Sequence, residues 1–236
     1  MRPRILLLHA FPLDCRMWAE TKQALEEDGW HVSAPDLPGP EAEPSLEAWA
    51  DHVLALADEP FVPVGSSMGG YLAFELWRRA RDRVAGLALV GTRASGETDE
   101  SRRGRDESIE LLQREGVGAL WEGLEGRLFA ASTGPEVRSQ AREIALEQGV
   151  TRLTAALAAI RDRLDSTALL AEIEVPVLVV AGEEDAIVPR GEAEEMATAL
   201  RHGRFVRIEG AGHLVPLERP DELNRELLSF LGAVAG

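Results

Sequence analysis

Short β-rich runs alternate with longer amphipathic stretches along most of this chain, and that alternation restricts the fold more than any other feature. The candidate strands are Arg4–Leu8, His31–Ala34, Phe61–Val64, Leu87–Val90, Val177–Ala181 and Arg204–Ile208. Candidate helices fall between or after them at Met17–Glu27, Leu46–Ala57, Met68–Ala80, Glu192–Leu200 and Asp221–Leu231, each with apolar residues at helical spacing. A strand joined to the next through a helix runs parallel to it, and a parallel sheet needs helices on both faces. The expectation is an α/β chain with six parallel strands.

One interval breaks the rhythm. Between Ala94 and Leu170 nothing reads as a strand, whereas SIELLQREG, VGALWEGLEGRLFA, EVRSQAREIALEQG and TRLTAALAAIRDRL each read as amphipathic helices. We therefore expect a core made of residues 1–93 and 171–236, with residues 94–170 inserted as a helical cap. The charged stretch SGETDESRRGRDE at its start is expected to be a loop. A length of 236 residues suits one such domain better than two. No apolar run approaches the roughly 18 residues of a membrane span, and MRPRILLLHAFP reads as a first strand, not a signal peptide. Cys15 is the only cysteine, which excludes an internal disulfide framework or a thiolate cluster and favours the cytoplasm. A formal charge of −16 repels phosphate, so neither nucleic acid nor an anionic membrane surface is an expected partner.

The segment PFVPVGSSMGGYL, residues 60–72, closes a predicted strand and opens a predicted helix with two adjacent serines. Only Ser67 has glycine two residues before and two after it, Gly65 and Gly69, which centres G-x-S-x-G on that residue; Ser66 has Val64 and Met68 there. A serine on a sharp strand-to-helix turn takes a strained backbone conformation, and flanking glycines remove the side chains that would clash. The turn also leaves unpaired N–H groups at the helix start, suited to an oxyanion. A plain serine N-cap explains the same letters, so context must decide.

A serine hydroxyl attacks well only when a base takes its proton, and the base needs a partner to fix its tautomer. Asp185 follows the predicted strand VPVLVVAG in GEEDAIVP, where Glu183 and Glu184 compete for the acidic role. His213 follows RFVRIEG in GAGHLVPLERP, within the loop before the last helix. Both lie past strand carboxyl ends, where open parallel sheets place reactive groups. The order Ser, Asp, His matches the G-x-S-x-G arrangement. No metal or organic cofactor is implied.

With these residues assembled, the chain resembles the α/β-hydrolase superfamily over nearly its whole length. HAFPLDCRMW, from His9, is similar to the loop after the first core strand that these enzymes usually write HGF. DLPG, Asp36–Gly39, is similar to the turn after the second, and Asp185 and His213 match G-x-x-D-x-x-x-P and G-x-G-H. The resemblance implies an oxyanion hole from the backbone N–H groups of Phe11 and Met68, with His9 supporting the loop. It also implies a serine hydrolase working through an acyl-enzyme, here a carboxylesterase on small or medium neutral esters. A lactonase similar to the enol-lactonases is the alternative enzyme. A non-catalytic ligand receptor on this fold is the alternative of another class, although it is expected to lack a triad member and none is missing here. Epoxide hydrolases and dehalogenases of the superfamily carry aspartate where Ser67 stands, which disfavours those activities.

Four departures from the family pattern stand out. Ala10 replaces the usual glycine, DLPG runs on into PEAEPS, and Pro63 falls inside a predicted central strand, where a missing N–H should cause a local irregularity. The chain also starts at the first central strand, so the antiparallel hairpin that normally precedes it is expected to be absent. Substrate contacts are expected from Arg93, Trp121 and Phe129. Arg93 can hold a substrate carboxylate or pair with a carboxylate of the insertion, and the net negative charge favours the second. Trp121 and Phe129 can line the substrate cavity or pack the insertion together, and packing is the favoured reading.

Overall fold

The computed structural model describes residues 2–37, 43–57 and 60–236. Six strands form one sheet: β1 (Arg4–Leu8), β2 (Val32–Ser33), β3 (Phe61–Ser66), β4 (Leu87–Val90), β5 (Val177–Gly182) and β6 (Gly203–Ile208). Their order is β2-β1-β3-β4-β5-β6, and every adjacent pair is parallel. The chain leaves β1 for β2 on one side and then crosses to β3 on the other. The loops after β1 and β3 therefore diverge, which opens a crevice at the carboxyl edge of the sheet.

Strand side chains alternate between two cores, as the pleat requires. Leu6, Leu8, Phe61, Leu87, Leu89, Val177 and Val179 enter one core, together with residues of α2 (Leu46–Ala55), α3 (Met68–Ala80) and α8 (Arg190–Ala199). Ile5, Leu7, Val62, Val64, Ala88, Val90, Leu178 and Val180 enter the other, with α1 (Ala19–Glu27) and α10 (Pro220–Ala235). Burial on both faces explains why these strands read as continuous apolar runs.

Pro63 produces the expected irregularity, and the register locates it. Leu6 still pairs with Pro63, but on the other side of β3 the partners are Phe61 with Val84 and then Val64 with Ala88. One extra residue on the β4 side bypasses the proline, which has no N–H for the ladder.

Between β4 and β5 the described chain is helical, with α4 (Asp99–Glu115), α5 (Val117–Leu128), α6 (Pro135–Leu146) and α7 (Val150–Asp162). Here one sequence expectation is corrected: most of SGETDESRRGRDE is the first half of α4, not a loop. Thr98 caps it by accepting from Ser101 N–H at 3.1 Å, and Asp99 and Glu100 occupy the first turn, where negative charge meets the helix dipole. A second correction concerns GAGHLVPLERP, which contains a one-turn helix, α9 (Val215–Glu218). Pro38 and Gly39 of DLPG, and PEA of the following segment, lie outside the described residues. Among the described residues no helix is long and apolar enough to cross a membrane.

Candidate active site

Ser67 stands where β3 turns into α3, with φ 51° and ψ −110°, and it is the one non-glycine residue with positive φ among those described. A β-carbon on Gly65 would lie 2.2 Å from the Gly69 carbonyl oxygen, and one on Gly69 would lie 2.1 Å from the Leu8 oxygen. Both glycines are therefore steric requirements of the turn. The Ser67 N–H donates to Val90 O at 2.9 Å, and Thr92 Oγ1 donates to Ser67 O at 2.9 Å, so the end of β4 grips the strained residue. Ser67 is half-buried, whereas Ser66 is 0% exposed and its hydroxyl has no hydrogen-bond partner. Of the two serines, only Ser67 is open to a ligand.

Asp185 follows β5 and His213 follows β6, and the structure brings them together. His213 Nδ1 lies 2.9 Å from Asp185 Oδ2, with both side chains 2% exposed. Asp185 Oδ1 accepts from Ile187 and Val188 N–H at 2.8 and 3.0 Å. Burial alone would push the Asp185 carboxyl up, but the His213 charge, the His213 hydrogen bond and the two amides hold it below the usual range. An ionised Asp185 accepts the Nδ1 proton and leaves Nε2 with a free lone pair. Of the competing acids, Glu184 is exposed and accepts from Ala131 N–H at 2.8 Å.

Gly91, at the end of β4 with φ 54°, lies between this pair and the serine turn. A β-carbon there would sit 3.0 Å from His213 O and 3.5 Å from Asp185 Oδ2. Gly210, with φ 62°, makes the bend before the histidine. Gly212 lets the loop close down, since a β-carbon on it would be 2.5 Å from Ala130 N. The G-x-G-H spacing is thus a packing requirement.

The Phe11 and Met68 amides face no acceptor among the described residues. His9 is buried between two loops: Nδ1 faces Ala10 O at 3.1 Å and Nε2 accepts Leu37 N–H at 2.8 Å. Burial holds its pKa low, so the ring is a neutral brace between the β1 and β2 loops. Ala10 is tolerated in place of glycine because its φ is not positive; its amide meets Met17 Sδ at 3.1 Å. Burial and Asp36 push the Cys15 thiol up to about 11, which makes it a poor nucleophile.

The three expected substrate contacts are occupied with other partners. Arg93 Nη2 lies 3.3 Å from Glu97 and Nη1 3.7 Å from Glu192, the ion-pair arrangement favoured above. Trp121 is 1% exposed and packs edge-on to Phe129 with ring centroids 6.2 Å apart, while the Arg138 guanidinium covers Phe129 at 4.9 Å. Two residues that pattern reading passed over, Thr92 and Glu218, hold backbone around the site. Neither belongs to a spaced motif of reactive groups, although a threonine two residues past a strand end beside the G-x-S-x-G turn was a usable signal.

Comparison with known proteins agrees with this architecture. Residues 5–226 match the alpha/beta hydrolase family, and the chain belongs to it. It is a hydrolase. It is similar, at 30% identity over 94% of this chain and 95% of the relative, to the pimeloyl-[acyl-carrier protein] methyl ester esterase of Aromatoleum aromaticum. A thermophilic esterase from Thermogutta terrifontis superposes with a TM-score of 0.92 at 36% identity, covering 99% of this chain and 91% of that one. The enol-lactonase from Burkholderia xenovorans LB400 gives 0.84 at 26% identity, covering 98% and 92%.

Proposed function

We propose that this protein is a carboxylic ester hydrolase in which Ser67 is the nucleophile, His213 the general base and Asp185 the group that fixes the base. The observation that carries this reading is the buried 2.9 Å contact of His213 with Asp185, set beside a serine held at positive φ. Nε2 of His213 takes the Ser67 proton as Oγ attacks the ester carbonyl. The Phe11 and Met68 amides stabilise the resulting oxyanion, at a helix start whose dipole favours negative charge. His213 then protonates the leaving alcohol, and water repeats the sequence on the acyl-enzyme.

Small or medium neutral esters suit the site, because Arg93 is engaged by Glu97 and Glu192 and is not free to hold a substrate carboxylate. The likeness to an enol-lactonase supports a lactone as the second substrate class. The single cysteine supports a cytoplasmic home. A serine-reactive phosphonate followed by peptide mass spectrometry tests the mechanism: the adduct is expected on Ser67, and an adduct on Ser66 or none at all refutes it. Hydrolysis rates over matched esters, lactones and thioesters then rank the substrate classes.

A further inference from the structure

We propose that Glu218 is a positioning residue for the hydrolysis, fixing the backbone on both sides of His213 and tying it to the helical insertion. The inference rests on the reading of His213 as general base. The single turn of α9 carries Glu218 back beneath the histidine loop. Its Oε1 accepts from Gly212 N–H at 3.0 Å and from Leu214 N–H at 3.1 Å. Its Oε2 accepts from Gly212 N–H at 3.0 Å, Ala130 N–H at 2.8 Å and the Thr133 hydroxyl at 2.5 Å.

The donors divide into two sets. Gly212 and Leu214 flank the histidine, while Ala130 and Thr133 follow α5 in the insertion. His213 itself donates its N–H to Leu128 O at 2.9 Å. The Leu214 N–H also reaches Leu128 O, at 3.3 Å, so three consecutive amides around the base are referred to residues 128–133: His213 directly, Gly212 through the carboxylate, and Leu214 by both routes. An ionised carboxylate offers about four lone-pair sites and no donor, which matches four converging donors. A glutamine of the same shape would turn an NH2 group toward at least one of them. Glu218 touches neither Ser67 nor Asp185 in the described contacts, so it acts only through where it holds His213. Misplacing a catalytic group by about 1 Å can cost about a hundredfold in rate.

The test compares Glu218→Gln with wild type in kcat and KM on a chromogenic ester, in the rate of phosphonate modification of Ser67, and in thermal unfolding. We expect kcat per phosphonate-titrated site to fall by about tenfold to a hundredfold with KM little changed, and Ser67 modification to slow in parallel, because both steps use His213. A normal kcat per titrated site overturns the proposal, including where total activity falls only because less protein is folded. If Glu218→Gln does not fold, Thr133→Val removes one donor from the insertion side. A smaller fall in kcat at unchanged KM then supports the proposal, and an unchanged kcat overturns it. His213→Ala separates the two levels of failure: wild-type turnover there removes the general-base reading and this inference with it. An inactive His213→Ala beside a normal Glu218→Gln removes only the role of Glu218.

Discussion

Asp185 and Glu97 are both buried carboxylates facing nitrogen partners, and the difference between those partners separates a region suited to proton transfer from a structural one. Asp185 meets an imidazole, which can lose its proton. Glu97, with a side chain 0% exposed, meets three guanidinium groups that cannot: Arg163 at 3.1 Å, Arg93 at 3.3 Å and Arg105 at 3.7 Å. Burial alone would raise both carboxyls, and in both the partners reverse it. For Glu97 these are a Ser101 hydrogen bond and the charges of Arg105, Arg163 and Arg93. Around Glu97 the chain entering the helices between β4 and β5 is tied to the chain leaving them, through Gly96 N–H to Asp165 at 2.7 Å, Ser166 N–H to Ala94 O at 2.8 Å and Arg163 to Ser95 O at 2.6 Å. A carboxylate opposite a titratable group orients it for proton transfer. Opposite permanent charges it clamps.

Substitutions in the two regions should therefore fail in different ways. Ser67→Ala should lower turnover by about a millionfold with native thermal unfolding, and Asp185→Asn by about ten-thousandfold through the wrong histidine tautomer, with the fold kept and stability lowered far less than in Glu97→Gln. Glu97→Gln should do the reverse. Removing one partner of a buried ion cluster leaves guanidinium charge uncompensated, at about 3–5 kcal/mol of stability, while turnover per folded molecule stays near wild type. Denaturant titration and kinetics normalised to folded protein on all three variants measure this. An Asp185→Asn destabilised as much as Glu97→Gln, or a stable but inactive Glu97→Gln, breaks the division.

Acidification sharpens the comparison in one experiment. The folded-state pKa values of Asp185 and Glu97 are depressed, so their stabilising contribution is present above the unfolded value and is lost only as pH falls through the folded one. Acid unfolding from these groups therefore begins below about 4. Turnover requires a His213 that can accept the Ser67 proton, a requirement the fold itself does not share. Activity should fall first and reversibly, with circular dichroism unchanged. Coincident loss of activity and fold would mean that the acid limb reports the clamp and not the base.

The two regions were unequally legible from residue order. Steric rules act on neighbours, so the glycines around Ser67 and the strand ends before Asp185 and His213 could be read directly. The clamp could not: with 41 acidic residues and 25 basic ones, nothing local shows that Glu97 rather than another acid meets Arg93, Arg105 and Arg163. Glu218 was hidden for a related reason, because most of its partners are backbone amides, which carry no side-chain signature. The start of α4 was misread because charge was weighed above capping, although Thr98 followed by Asp99 and Glu100 was a helix start in plain view.

The smallest expected effect tests the boundary of the reactive region itself. Ser66 is one residue from Ser67 and pairs in register with Val90, yet its hydroxyl is buried without a partner. Ser66→Ala removes an unsatisfied polar group and leaves a gap of a single atom, so stability should change by no more than about 1 kcal/mol, and toward greater stability if it changes at all. Turnover should stay near wild type, because the Ser67 turn is held by Gly65, Gly69, the Val90 carbonyl and the Thr92 hydroxyl, none of which involves the Ser66 side chain. Thermal unfolding and steady-state kinetics of this one variant suffice. A large fall in turnover at unchanged stability would show that the reactive region extends into the β3 ladder, and that the geometry of Ser67 depends on its neighbour's hydroxyl as well as on the glycines.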